Sequence, residues 1–363
     1  MIQRGVQPGP AGRGGPPGPP EFLSQYAALA DPRLAAFLDA KAAEVARLPV
    51  DLRAAFAALR AYVLRGGKRL RGALVVLGCE AAGGERSWVL DASIGMELVH
   101  AYLLVHDDFM DRDEVRRGGP TVHAALGRAT GSEHLGASLA VLLGSLCEAW
   151  ALELLLAAPV PAERTVAAGR LLARALQEVT VGQMLDLSAP LVGDLAPREV
   201  LAVEDMKTGG YSFDLPLRLG ALLAGASEAV LAALERFARP LGQAFQIADD
   251  LLGTFGAPEQ TGKPNASDLR EGKRTLLIAR AFEKADSRDA ALLRAGLGKP
   301  DLSEAEASAL REVLVRTGAA QSCREDAERL CAEAVGALDG APLPAQVAQA
   351  LRQIATYSVR RAA

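Results

Sequence analysis

The stretch that decides the fold runs from Ile94 to Glu114: IGMELVHAYLLV over 94–105, followed at once by HDDFMDRDE over 106–114. An apolar run of that length ending in a dense block of acids reads as a buried helix that emerges into charge. At about 3.6 residues per turn, Asp107 and Asp111 share one face and Asp108 is rotated by roughly 100° from it. Two carboxylates one turn apart repel each other, and a helix C-terminus already carries partial negative charge, so a cation is called for. The plain alternative is a solvated acidic helix end. Oxygen ligands at this spacing suit Mg²⁺, which keeps several waters and shares substrate phosphates.

The same arrangement recurs downstream, where Leu241 to Ala248 precedes Asp249-Asp250 and Gln246 lies three residues before Asp249. Here Gly253 stands one turn after Asp249, where a third carboxylate would complete the echo. Between and around the two acidic pairs lie basic groups: GGKRLR at 66–71, Arg116-Arg117, Lys207-Thr208, Lys263 and Lys273. Any one of them alone reads as a surface charge; several of them with two acidic pairs read as an anion site.

The rest of the chain fits a helical frame. Half of the 363 residues are apolar, aromatics make up 4%, and Ala and Leu dominate, which favours helix over sheet. Helical patterning begins near Glu21. It breaks at Gly66-Gly67, Gly83-Gly84, Gly118-Gly119-Pro120 and Pro190, with one long polar interruption from Gly253 to about Arg274. These features predict an all-α protein, one large bundle over residues 21–363, after a Gly/Pro-rich tail over 1–20 that reads as disordered.

Several functions are excluded. A net charge of −4 argues against nucleic-acid binding. Cys79, Cys147, Cys323 and Cys331 form no CxxC pair, which signals neither zinc nor disulfides and suits a cytoplasmic setting. No secretory signal is visible. The run from Leu135 to Ala158 approaches membrane-spanning length, but Glu148 and Glu153 interrupt it, so it reads as a buried bundle helix rather than a transmembrane segment.

In chain order, GGKRLR (66–71), HDDFMD (106–111), RRGGPTVH (116–123), GQMLD (182–186), KTG (207–209), FQIADD (245–250), and the GK and DLREGK segments of 262–273 resemble the trans-isoprenyl diphosphate synthases, the polyprenyl synthetase family. The resemblance spans about Tyr62 to Thr275. It implies a helical bundle around a central cavity and condensation of isopentenyl diphosphate with an allylic diphosphate, assisted by three Mg²⁺ ions. By that resemblance Asp107 and Asp111 hold two ions. Asp249 holds the third, with Asp268 acting through water, and Asp186 orients the first site. Arg116, Lys207 and Lys263 contact the allylic diphosphate, with Thr208, Gln246 and Lys273 completing that end. Lys68, Arg71, His100 and Arg117 take isopentenyl diphosphate without metal.

The family likeness also implies a homodimer, with the helices after Gly72 and near Leu135 as interface candidates. The product grows away from Asp107 along its helix, so Tyr102 and Leu103, with Val99 below, form the floor. At about 1.5 Å per residue Tyr102 lies about 7.5 Å from Asp107 along the axis. With two residues between Asp108 and Asp111, an aromatic five positions upstream implies a C20 product, geranylgeranyl diphosphate, with C15 farnesyl diphosphate next. His106 and His123 read as structural, and Phe109 and Met110 as core. Two departures stand out: Gly253, and Ser145 where relatives carry Asp. Rival functions are a terpene cyclase, against which GGKRLR and RRGG argue, and a non-catalytic subunit of a heteromeric synthase, against which the intact first motif argues.

Overall fold

Helix after helix follows from the sequence pattern, and the computed structural model describes residues 19–48, 50–192, 196–256 and 266–360. Helix α1 (Glu21–Val45) begins where the periodicity begins; α2 (Arg53–Leu64), α3 (Leu70–Ala81) and α4 (Leu90–Met110) follow. Then come α5 (Val122–Thr130), α6 (Glu133–Leu156), α7 (Ala162–Val192) and α8 (Pro197–Glu204). A π-helical segment (Asp205–Asp214) leads into α9 (Leu215–Ala224) and α10 (Glu228–Phe255). The C-terminal part comprises α11 (Ser267–Glu271), α12 (Leu276–Lys284), α13 (Ser287–Gly296), α14 (Glu304–Arg316), α15 (Ala319–Gly336) and α16 (Ala345–Arg360).

Local chemistry starts these helices. Ser132, Ser227 and Thr275 accept from the backbone N–H three residues on, satisfying donors the first turn leaves free, and Ser303 with Glu306 forms a reciprocal capping box. In α10, Val230, Leu234, Phe237, Leu241, Phe245, Ala248 and Leu251 fall at spacings of three and four and are all buried, so the helix presents one continuous face to the core. The centre is α3, buried along nearly its whole length and packed between α4 and α9.

The structure differs from the sequence reading in several places. Helix α3, a candidate interface helix, is enclosed within its own chain. The run near Leu135 is only half enclosed: α6 packs on α4 and α5, while Leu135, Leu142, Leu146, Leu152 and Leu156 are exposed. It is long and apolar enough to cross a membrane, yet 44% of its most apolar window is buried in the chain. Gly118-Gly119-Pro120 belongs to a two-stranded ribbon, Val115–Arg116 against Gly119–Pro120. Pro190 lies in the last turn of α7, which ends at Val192. Helix α10 continues through Gly253, so the predicted interruption starts later, and α11 interrupts it. The predicted tail lies outside the described residues, apart from Pro19 and Pro20.

Candidate active site

A cavity of about 1090 Å³ opens between α3, α4, α7, the π-helical segment and α10, large for a ligand pocket and sufficient for two substrates. Its wall brings together Lys68, Arg71, His100, Tyr102, Leu103, Asp107, Arg116 and Arg117 from the first part of the chain. From later elements it gathers Asp186, Lys207, Thr208, Gln246, Asp249, Asp268 and Lys273. Val99 is not among them: it is buried in the core at 1% exposure, one layer behind the wall. Asp111 also stands behind the wall, and Lys263 lies outside the described residues.

The acidic end is built on the last turn of α4. Asp107 and Asp111 bracket that turn, Asp111 being its C-cap residue. Gln183 donates to Asp107 Oδ1 at 3.2 Å, Lys207 Nζ lies 3.5 Å from the same oxygen, and Lys207 donates to Asp186 at 2.6 Å. Lys207 reaches this place because α7 and the π-helical segment touch backbone to backbone. A Cβ at Gly182 would stand 2.6 Å from Lys207 N, so only glycine permits the approach. A π-helical turn of this kind is itself a frequent mark of a functional site.

Asp111 Oδ2 is buried with no hydrogen-bond partner, and its nearest cation is Lys273 Nζ at 3.9 Å. Burial, then the Asp107 charge, push the Asp111 carboxyl up to about 6, against the pull of Lys273 and Lys207. Lys273 itself is partly buried; burial opposes its charge, but Asp268, Glu271, Asp111 and Asp107 together raise its pKa well above the ordinary lysine value. Among the described residues no three His, Cys, Asp or Glu side chains converge into a ready metal cage. Mg²⁺ does not need one, since it takes one or two carboxylates and completes its shell with phosphate oxygens and water. An excess of clustered carboxylates, one with a buried oxygen lacking a hydrogen bond, is a donor set that fits it.

Asp108 has a different job. It is fully buried, accepts from the Tyr62 hydroxyl at 2.6 Å, and takes a short hydrogen bond from Arg116 Nε. Burial lifts its carboxyl above the ordinary range while Arg116 keeps its proton more tightly than usual; we read the pair as charged, because both partners are hydrogen-bonded. On α10, Asp250 is buried at the cavity wall. Gln246 donates to it at 2.7 Å, and burial and the neighbouring Glu204 raise its carboxyl well above the usual range. Glu204, pushed up to about 7 by burial, accepts from Leu276 N at 3.1 Å. Asp249, the other member of the pair, lines the cavity.

The basic end has another character. Arg71, 9% exposed, donates to the hydroxyls of Tyr211 at 2.8 Å and Ser212 at 2.7 Å, its Nε makes no hydrogen bond, and no carboxylate pairs with it among the described residues. Arg117 and Gly118 form the two-residue turn of the ribbon, both at positive φ, as such turns require. Arg117 Nη1 donates to Gly66 O at 2.9 Å, tying this turn to the GGKRLR loop. Lys68 Nζ sits 4.8 Å from the Tyr357 ring centroid. Burial, then Arg71 and Arg117, hold His100 well below its ordinary range, so it is a neutral imidazole beside Tyr211 Oη at 3.4 Å.

Sequence reading missed Gln183, Tyr211, Ser212, Tyr62, Glu204 and Glu271. Gln183 had a signal, lying three residues before Asp186 on the same face of α7; Tyr62 and Ser212 are distant in sequence from their partners and had none. Met110 lines the cavity and Phe109 is exposed against His123, so neither is the core residue expected. Ser145 lies exposed on α6 and donates to Val141 O at 3.2 Å; nothing explains its replacing Asp.

Against known proteins, the family model for polyprenyl synthetases matches residues 53–314. A geranylgeranyl diphosphate synthase of Methanosarcina mazei is 37% identical over 70% of this chain and 74% of its own. A (2E,6E)-farnesyl diphosphate synthase of Mycobacterium tuberculosis is 36% identical over 82% and 80%. The solved geranylgeranyl pyrophosphate synthase of Corynebacterium glutamicum, complexed with isoprenyl diphosphate and magnesium, superposes with a TM-score of 0.89 at 35% identity, covering 93% of this chain and 99% of that one. With the motifs gathered on one cavity and these likenesses spanning most of its length, the chain belongs to the polyprenyl synthetase family.

Proposed function

We propose that this protein is a short-chain trans-prenyltransferase that joins isopentenyl diphosphate to an allylic diphosphate with Mg²⁺. The observation that carries the reading is the split cavity. One end clusters carboxylates with lysines; the other holds Arg71, buried against the Tyr211 and Ser212 hydroxyls and the Tyr211 ring, where a second anion can bind without metal. Bound Mg²⁺ supplies the positive charge that stabilises the departing diphosphate. Asp107, Asp111 and Asp186 would hold two ions, and Asp249 with Asp268 a third. Lys207, Arg116, Thr208, Gln246 and Lys273, with Lys263, would grip the same diphosphate. Lys68, Arg71, His100 and Arg117 would orient isopentenyl diphosphate.

In that arrangement the allylic C1–O bond breaks, the isopentenyl double bond attacks C1, and the proton lost in restoring an alkene passes to the released diphosphate. No side-chain base is required. Leu103, Leu104 and Met110 on the wall would limit the water that would quench the cation. The test against a terpene cyclase is diphosphate release: it should require both substrates and Mg²⁺. Release from an allylic diphosphate alone would overturn the condensation reading.

Geranylgeranyl diphosphate is the proposed product. The Tyr102 ring packs edge-to-face on His106, centroids 4.8 Å apart, and His106 Nε2 donates to Val141 O at 2.9 Å, so the floor is braced from α6. Tyr102→Ala should lengthen the product by at least one five-carbon unit, and His106→Ala should shift it the same way but less. An unchanged length distribution in Tyr102→Ala would refute the floor.

The proposal includes a cytoplasmic homodimer. Exposed Leu135, Leu142, Leu146, Leu152 and Leu156 of α6, with exposed Val181 and Leu185 on α7, which packs against it, leave more apolar surface than scattered leucines produce. The four cysteines form no disulfide, as a reducing setting allows. Light scattering should give twice the chain mass, and Leu142→Glu should halve it; a monomeric wild type would contradict this.

A further inference from the structure

Arg69 sits inside the GGKRLR loop between Lys68 and Arg71, yet it is only 4% exposed. Its guanidinium is taken up by three other helices: Nε donates to Asp31 Oδ1 on α1 at 2.6 Å, Nη2 donates to Val63 O on α2 at 3.0 Å, and Nη1 lies 3.7 Å from Glu97 Oε2 on α4. Glu97 is buried too, and its other oxygen accepts from Gly72 N at 2.8 Å, one of the N–H groups that the first turn of α3 leaves free. The start of α3 is therefore tied to the same carboxylate that faces Arg69. The Arg69 backbone is left-handed, φ 49° and ψ 34°, a region that residues with a Cβ disfavour, so contacts elsewhere must hold it. Either side of that turn the loop presents to one cavity Lys68, its Nζ 4.8 Å from the Tyr357 ring centroid, and Arg71, on the Tyr211 and Ser212 hydroxyls.

We propose that Arg69, held by Glu97 and Asp31, is a positioning residue for the metal-free end of the cavity, its anchored left-handed turn setting where Lys68 and Arg71 stand. The inference rests on the reading of that end as the isopentenyl diphosphate subsite. Arginine suits the task because its planar fork spans separate acceptors, whereas the single ammonium of lysine does not. Lys207 and Asp249 are carried by the π-helical segment and α10, so a disturbed turn at Arg69 acts on one substrate and spares the other.

The test compares full-length wild type with Arg69→Ala, Arg69→Lys, Glu97→Gln and Arg71→Ala. Steady-state kinetics with isopentenyl diphosphate, dimethylallyl diphosphate and Mg²⁺ give a KM for each substrate, and circular dichroism reports whether each protein is folded. The KM for isopentenyl diphosphate should rise about 10-fold or more in Arg69→Ala and about 3-fold in Arg69→Lys and Glu97→Gln, while the allylic KM stays within about 2-fold of wild type. Glu97→Gln keeps an acceptor for Gly72 N and removes only the charge opposite Arg69. Loss of folded protein lowers turnover and leaves both KM values alone, so the split separates positioning from stability. If Arg69→Ala fails to fold, Arg69→Lys and Glu97→Gln carry the comparison. An unchanged KM for isopentenyl diphosphate in the folded variants, or an equal rise for both substrates, overturns the proposal. If Arg71→Ala also leaves that KM unchanged, the subsite reading falls with it; if Arg71→Ala raises it, the positioning role alone falls.

Discussion

Asp111→Asn is expected to stabilise the substrate-free protein while removing its activity. Asp111 is enclosed, its Oδ2 has no hydrogen bond, and burial and Asp107 raise its carboxyl to about 6. A carboxyl whose folded value exceeds its unfolded value near 4 binds more protons folded than unfolded, so stability falls as pH rises between those values. The penalty is complete above pH of about 6 and amounts to roughly 2–3 kcal/mol. The neutral amide should therefore raise the melting temperature at pH 7.5 by a few degrees, with the gain fading towards pH 4. Condensation should fall by about 10²-fold or more, because charge stabilisation of the departing diphosphate is lost. Unchanged turnover, or a lower melting temperature at pH 7.5, would contradict the assignment.

Asp108→Ala, one residue from Asp107, should do the reverse to stability. It removes the closest partner of a partly buried Arg116 and the acceptor of Tyr62. Leaving a buried charge unpaired costs about 3–5 kcal/mol; the lower end is expected here, since Asp113 and Asp107 remain 3.4 and 3.6 Å from Arg116 Nη2. The melting temperature should drop by roughly 5 °C or more, and activity should fall because Arg116 loses its position. Asp113→Ala, which removes only a partner at 3.4 Å, should change stability far less. A wild-type melting temperature in Asp108→Ala would refute the division between a structural and a ligand aspartate.

That division shows how far the sequence could be read. The rotation of Asp108 away from Asp107 follows from helical periodicity, but its partners Tyr62 and Arg116 are fixed only by tertiary packing. The helices follow from local periodicity and were legible; the Val115–Pro120 ribbon was not, because two residues per strand leave no periodicity. The basic end was recognisable as GGKRLR and RRGG, yet that Arg71 meets hydroxyls and no carboxylate depends on the π-helical segment, which no spacing rule announces. Gly253 read as a missing ligand, and nothing local in the sequence announces that Asp268, on a different helix, comes against it. The partial exposure of α6 was hidden too, because an apolar helix facing an interface and one facing a core have the same composition.

The most direct measurement is the mass of the product formed from isopentenyl diphosphate with dimethylallyl, geranyl or farnesyl diphosphate, with and without Mg²⁺. A Mg²⁺-dependent C20 diphosphate as the end product is the predicted result. No condensation with any primer would contradict the prenyltransferase account, and an end product of another length would retain the chemistry but refute the Tyr102 floor.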